Sequence, residues 1–106
     1  MTSPVKLLLV YVDENDAWGT TPLYEAIIRR LRQLGVAGAT AQAGMMGFGS
    51  QKHVHHKGLF GVSDDRPVVI TCVDTEAKLR EALPEIQAMV KEGLIVLLDA
   101  EQVPLG

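Results

Sequence analysis

The chain has 106 residues, 47% of them hydrophobic and 22% charged, and a formal net charge of -3. This length supports one domain with a two-layer core, so residues 1–106 are expected to form a single domain. The acidic balance argues against a general nucleic-acid binder, which would carry a basic excess.

Cysteine content and hydrophobic run lengths indicate a cellular location. Cys72 is the only cysteine, so no internal disulfide can form, which fits a reducing compartment. The N-terminus lacks the basic region and cleavage site of a secretory signal, and no apolar run approaches the roughly 20 residues of a membrane-spanning helix. We therefore expect a cytoplasmic protein without membrane insertion.

The first half of the chain predicts a strand, a helix and an extended segment. Val5 to Val12 is a nearly continuous apolar run, typical of a central strand. Thr21 and Pro22 are the expected N-cap and first residue of a helix that Gly35 ends. Residues from about Ala37 to Phe48 then predict a second strand, although its glycines weaken it.

The second half repeats this pattern. Pro67 to Val73 predicts a strand, and Asp74 can cap the helix that follows it. Pro84 lies inside the predicted helix, Gly93 is its expected end, and Leu94 to Leu98 predicts the fourth strand.

The order β-α-β-β-α-β predicts an α+β, ferredoxin-like sandwich, with a four-stranded antiparallel sheet and both helices on one face. The strands are apolar at consecutive positions rather than alternating, which favours burial of both faces. Another copy of the chain is the simplest cover for the second face, and closed symmetric rings are the usual result of such association.

The stretch Gly44–Gly58 contains the sequence Gly-Phe-Gly-Ser-Gln-Lys-His, which resembles the Gly-Phe-Gly-Arg-Gln-Lys-Gly signature of PII signalling proteins. The whole chain resembles a PII-like branch classed as a domain of unknown function. The matching residues are Pro22–Ile27, Gly35–Thr40, Gly47–Gly49 and Gly93–Leu94. The resemblance implies a homotrimer whose sheets face inward and a role in signal transduction.

The resemblance also implies a nucleotide-binding site in the cleft between subunits. The ligand-binding residues carried over are Gly47, Phe48, Gly49, Ser50, Gln51 and Lys52. Glycines there would let backbone N–H groups approach phosphates. Ser50 replaces the arginine of the PII signature, and no lysine-bearing glycine-rich loop precedes the last strand, so we expect AMP or ADP rather than ATP. A purely structural glycine turn and a different small ligand are the alternatives.

The resemblance further implies that the loop after the second strand contacts a target protein, for which a membrane transporter or channel is expected. We predict that residues from about Gln51 to Ser63 become ordered only with a ligand or partner, because they offer few apolar anchors.

Three histidines in this loop raise the possibility of a metal site. His53, His55 and His56 lie within four residues and could share a divalent ion in a trimer. A stable tetrahedral site usually takes ligands from separate elements, so a solvated polar loop is the favoured interpretation and a divalent-metal-binding trimer remains the alternative.

An enzyme is the other class considered. The run Asp13-Glu14-Asn15-Asp16 could suggest paired catalytic carboxylates, but a turn that ends the first strand is the simpler interpretation. The sequence contains no recognisable triad or dinucleotide fingerprint, so a binding protein without a catalytic site or tightly bound cofactor is expected. Trp18 is predicted to pack or to anchor a neighbouring subunit, and Met45 and Met46 to fill gaps near the glycine turn.

Overall fold

The structure is a computed structural model that describes residues 2–47 and 66–106. These two stretches contain six strands and two helices. In chain order they are β1 (Ser3–Asp13), β2 (Ala17–Trp18), β3 (Thr21–Pro22), α1 (Leu23–Gln33), β4 (Ala39–Ala43), β5 (Pro67–Asp74), α2 (Glu76–Met89) and β6 (Leu94–Gln102).

Four of the strands form one antiparallel sheet in the order β4-β5-β1-β6. β1 is central and longer than predicted, because its first residues pair with β6 beyond the end of β5, where Ser3 lies opposite Gln102. β2 and β3 form a separate two-stranded hairpin. The order and directions confirm the predicted ferredoxin-like α+β fold.

The hydrophobic core lies between this sheet and the two helices. Every second residue of β1 from Leu8 to Val12 is buried, and these side chains share one cluster with those of β5 and both helices. Both helices therefore cover the same face of the sheet, since alternate residues of a strand point to the same side. The helices contribute Leu23, Ile27, Leu31, Leu79, Ala82, Ile86 and Met89.

The end of α1 was predicted correctly, but its start was not. Pro22 occupies the N-cap position without a side-chain cap, so the predicted Thr21 cap is wrong. At the other end Gly35 has a φ of 84°. The Gly35 N–H donates to the Arg32 carbonyl at 3.0 Å and the Val36 N–H to the Leu31 carbonyl at 3.1 Å. This pair of bonds is a Schellman motif, which requires the left-handed conformation that glycine readily adopts.

The ends of α2 also differ from the prediction. Thr75, not Asp74, is the N-cap, and its hydroxyl accepts a hydrogen bond from the Lys78 N–H at 3.2 Å. The Asp74 carboxylate accepts instead from the Ala37 N–H at 3.0 Å and the Thr75 N–H at 2.7 Å. The helix includes Pro84 and ends at Met89, before the predicted stop at Gly93.

The second main strand, β4, is shorter than the predicted segment. The Ala37 N–H is bound by a side chain rather than by a neighbouring strand. At the other end the chain leaves the ladder after the Gly44 N–H donates to the Pro67 carbonyl at 2.7 Å. The glycines and small residues near both ends thus mark the limits of the strand rather than bulges within it.

Candidate functional site

The candidate site lies at the end of the sheet where β1 and β4 finish and β5 and β6 begin. Strand register brings these termini together, because Asp13 pairs with Pro67 and Ala43 with Val68. The bond from Gly44 to Pro67 extends this pairing beyond the strand. Gly47, the last described residue before the glycine-phenylalanine-glycine turn, is therefore held beside the start of β5.

Packing against Pro67 constrains both described glycines here. A Cβ atom at Gly44 would lie 2.8 Å from Pro67 Cγ, and one at Gly47 would lie 3.3 Å from it. The first distance is too short for a side chain, so close packing explains glycine at position 44 without a ligand. The space around Gly47 is less tight, so packing alone does not require glycine there. A role of Gly47 in ligand binding stays a prediction.

The other predicted site residues lie outside the described ranges. These are Phe48, Gly49, Ser50, Gln51 and Lys52, together with the histidines His53, His55 and His56. The predicted ligand-dependent loop from Gln51 to Ser63 also falls there. Within residues 2–47 and 66–106, no group of three His, Cys, Asp or Glu side chains could hold a metal ion.

The acidic run after β1 forms a turn, as expected. The Asp16 carboxylate accepts a hydrogen bond from the Asp13 N–H at 3.0 Å, and the Asp13 carboxylate accepts from the Asn15 N–H at 2.9 Å. The Glu14 N–H donates to the Arg66 carbonyl at 2.9 Å, which joins the turn to the start of β5. Two of the acidic side chains thus bind backbone groups, and this arrangement favours a structural role over paired catalysis.

Two side-chain placements near the site differ from what packing preferences suggest. Met45 and Met46 are 94% and 71% exposed, so the prediction that they fill gaps is wrong for the chain as described. Trp18 is 46% exposed on the β2–β3 hairpin, whose turn uses Gly19 at a φ of 65°. This hairpin was not predicted, although the dipeptide Gly19-Thr20 between two short segments is a sequence signal for it.

The face of the sheet opposite the helices, named here the open face, is apolar. β1 contributes Leu7, Leu9 and Tyr11, which lie between the core positions of the same strand. Their partners on this face are Val69, Thr71 and Val73 of β5 and Leu94, Val96 and Leu98 of β6. No helix of the described ranges covers it, and Leu94 is 55% exposed.

Two arginines of α1 are already paired with carboxylates. Arg30 binds Glu85 of α2, with its Nε 2.9 Å from Oε1, and also donates to Gln33. Arg29 lies 2.8 Å from Glu25 on the same helix. These guanidinium groups are therefore partly neutralised, which limits what they could contribute to binding a phosphate group.

Cys72 lies in the core between the sheet and the helices. Burial, and secondarily the nearby Asp74 carboxylate, raises the pKa of its thiol to about 11. The thiol is therefore protonated at neutral pH, which makes it a poor nucleophile.

Comparison with solved structures identifies the fold. CPII of Thiomonas intermedia K12, described as a nitrogen regulatory PII-like protein and solved with ADP, AMP and bicarbonate, superimposes with a TM-score of 0.72. The match covers 99% of each chain at 18% identity. The fold is thus that of PII-like proteins, as the sequence resemblance predicted.

Sequence comparison then gives the family. The model of DUF190, described as "Uncharacterized ACR", matches residues 5–102, and the chain belongs to this family. A UPF0166 protein of Aquifex aeolicus is 32% identical over 100 residues, 94% of each chain. One from Methanocaldococcus jannaschii is 34% identical over 95 residues, covering 89% of this chain and 87% of the relative. Neither helix described is long and apolar enough to cross a bilayer.

Proposed function

We propose that the protein is a homotrimeric PII-like regulatory protein that binds an adenine nucleotide, AMP or ADP, in the clefts between subunits. The observation that carries the proposal is the open face, a row of apolar side chains on three adjacent strands over which residues 2–47 and 66–106 place no helix. Gly47, the first residue of the glycine turn, follows the outer strand β4 at one end of this sheet, which supports a position for the turn near a subunit boundary in such an assembly.

Assembly follows from the hydrophobic effect. Tyr11, Val73, Leu94 and Leu98 are between 38% and 55% exposed in the single chain. Burying such a surface is favourable by about 25 cal/mol per Å² of apolar area. A cyclic trimer buries the open face of every copy at once, with each sheet facing the symmetry axis.

The ligand proposal rests on the resemblance to PII proteins and is supported by the shared fold with CPII, which was solved with ADP and AMP. Gly47, Phe48, Gly49 and Gln51 are the proposed contacts. The preference for a shorter phosphate chain follows from charge, because Ser50 is neutral and the α1 arginines at positions 29 and 30 are already paired with glutamates.

Titration calorimetry with AMP, ADP and ATP tests the ligand. We expect AMP or ADP to bind more tightly than ATP. Gly49→Val should abolish binding and leave the trimer intact. Gly38→Ala is the matched control, since a Cβ there meets no atom within 4 Å. Absence of heat and of competition at millimolar nucleotide would remove the nucleotide proposal, and tightest binding of ATP would refute the charge argument.

A divalent-metal-binding trimer is the second candidate, favoured only by the cluster His53, His55 and His56. Thermal shift measurements with nucleotides and with zinc or nickel separate the candidates, because a ligand specific for the native state raises the melting temperature. A shift with metal that is lost in His55→Ala, without any nucleotide shift, would favour the metal protein.

The proposed target of the regulatory loop is a membrane transport protein. Co-purification of candidate transporters with the protein, with and without AMP or ADP, tests this. Nucleotide-dependent capture is expected, and capture independent of nucleotide would contradict a sensing role.

A further inference from the structure

The β2–β3 hairpin presents an exposed tryptophan. Trp18 is 46% exposed, and its neighbours Ala17, Gly19 and Thr20 are exposed as well. No residue from position 17 to position 22 carries a charge. Tryptophan buries a large apolar area at interfaces and is enriched among the residues that dominate binding energy. The hairpin is therefore suited to contact with another molecule.

The backbone of the hairpin is fixed at its base. Its two strands pair in antiparallel register, with Trp18 opposite Thr21. The Leu23 N–H donates to the Asp16 carbonyl at 2.8 Å, which joins the residue before the hairpin to the start of α1. A side chain on a preorganised backbone loses less conformational entropy on binding than one on a mobile loop.

The hairpin lies away from the open face. It follows β1 directly and packs against α1, which covers the other face of the sheet. The assembly proposed above buries the open face and leaves the hairpin accessible. Cyclic symmetry keeps equivalent points at one height along the axis, so the three hairpins lie at the same end of the trimer. Three equal contacts at one end can engage a partner together and strengthen binding by avidity.

The surface beside Trp18 is acidic. Asp13, Glu14 and Asp16 precede the hairpin in the chain. Arg66 adjoins their turn, because the Glu14 N–H donates to its carbonyl. Three carboxylates against one guanidinium give this part of the surface a net negative charge. An arginine or lysine of a partner complements it, since cations bind both to carboxylates and to the face of a tryptophan ring.

A basic protein segment fits this surface better than a lipid bilayer does. The cytoplasmic loops of membrane proteins carry an excess of lysine and arginine. The cytoplasmic leaflet itself is negative and repels an acidic surface. The target proposed above is a membrane transport protein, so its cytoplasmic loops have the charge that complements the turn.

We infer that residues 13–20, named here the docking surface, bind a basic cytoplasmic segment of the target membrane protein. The inference rests on the proposed regulatory function. Trp18 is the apolar anchor of the docking surface. Glu14 supplies the carboxylate that meets the partner, because the Asp13 and Asp16 carboxylates already accept backbone hydrogen bonds.

Tryptophan fluorescence tests the docking surface. Trp18 is the only tryptophan in the sequence, so the emission of the full wild-type chain reports on this residue alone. The probe is the peptide hexa-arginine, and hexaglutamate is the control of opposite charge. We expect hexa-arginine to change the emission in a saturable way that weakens as salt is added. Hexaglutamate should leave the emission unchanged.

Titration calorimetry with hexa-arginine assigns the contacts. Trp18→Ala should weaken binding about tenfold, as expected for an interface anchor. Trp18→Phe should weaken it less, because an aromatic ring remains. Glu14→Gln should weaken binding about two- to fivefold. Glu81→Gln, on the exposed side of α2, is the charge-matched control and should bind as the wild type does. Circular dichroism checks that each variant is folded.

Three results would overturn the inference. The first is unchanged affinity in both Trp18 variants, or equal losses in Glu14→Gln and Glu81→Gln. The second is a Trp18 emission that responds to vesicles of phosphatidylcholine and phosphatidylglycerol but not to hexa-arginine, which would indicate a membrane surface as the partner. The third is an emission maximum that moves to longer wavelength when the trimer is diluted until it dissociates, which would place Trp18 between subunits.

Failure of the inference can be distinguished from failure of the proposed function. A trimer that binds AMP or ADP but shows no response to hexa-arginine would overturn the docking surface and leave the proposed function intact. Trp18-dependent binding of hexa-arginine by a protein that binds no nucleotide at millimolar concentration would support the docking surface and contradict the proposed nucleotide sensing.

Discussion

Leu9→Asp is the sharpest test of the assembly. Leu9 lies at the centre of the open face, between Thr71 of β5 and Val96 of β6. Its neighbours Leu8 and Val10 are fully buried on the opposite side, in the helix-covered core. The substitution leaves that core unchanged and places a carboxylate where the proposed subunits meet.

The free-energy cost of the substitution to the trimer follows from the number of copies that carry it. An uncompensated charge buried in an interface costs about 3–5 kcal/mol. Three copies give about 9 kcal/mol at the lower end, and each 1.4 kcal/mol is about a tenfold change in an equilibrium constant. The dissociation constant of the trimer should therefore rise about a million-fold, which shifts the equilibrium at micromolar concentration strongly toward monomers.

The same carboxylate gives the effect a pH dependence. Burial disfavours the charged form, so the pKa of the introduced carboxyl group would be higher in the trimer than in the free subunit. Assembly of this variant is therefore strongest below the free-subunit pKa of about 4 and is lost as pH rises through the pKa in the trimer.

Light scattering at pH 7 and near pH 4, with circular dichroism as a check on folding, measures these changes. Ala77→Asp, on the exposed side of α2, is the charge-matched control and should keep the wild-type mass. A Leu9→Asp protein that remains fully trimeric at pH 7 would refute the reasoning.

Three further predictions concern the single subunit. Gly93→Ala should lower the free energy of unfolding by about 3 kcal/mol. The reason is that Gly93 has a φ of 150° and that a Cβ atom there would overlap a β1 carbonyl oxygen. Chemical denaturation measures this change, and the control Gly38→Ala should stay within about 0.5 kcal/mol of wild type. Cys72 should react with a thiol reagent at pH 8 only after unfolding, since its raised pKa leaves almost no thiolate, and fast native-state modification would contradict this. Arg30→Ala should lower the free energy of unfolding by only about 0.5–1 kcal/mol in the same denaturation assay, since the contact of Arg30 with Glu85 is partly exposed. A decrease above about 2 kcal/mol would contradict this prediction.

Long periodic segments were predictable from the sequence, and their ends were less so. The apolar run of β1 and the helical spacing of α1 identify both elements, because each pattern extends over several residues. The cap of α2 was misassigned by one residue, since Asp74 and Thr75 are both good caps and only the structure shows Asp74 bound to Ala37. That contact joins residues distant in sequence, which local patterns do not reveal.

The candidate site was less predictable than the fold for the same reason. Gly44 was interpreted from the sequence as a glycine that weakens the second strand, and the reason for glycine there, packing against Pro67, depends on strand register. The exposure of Met45 and Met46 likewise depends on where β4 leaves the sheet, and apolar character alone suggested burial. The open face, by contrast, could be predicted, because continuous apolar strands require cover on both sides.

The position of β1 in the sheet has a consequence for synthesis on the ribosome. Both of its partner strands, β5 and β6, come from the second half of the chain, and Ser3 pairs with Gln102. Translation proceeds at about 5–20 residues per second, so β1 is exposed for seconds before either partner strand has been made. The sheet can close only after residues 94–102 have left the exit tunnel, and until then the apolar strand β1 is open to aggregation and chaperone capture.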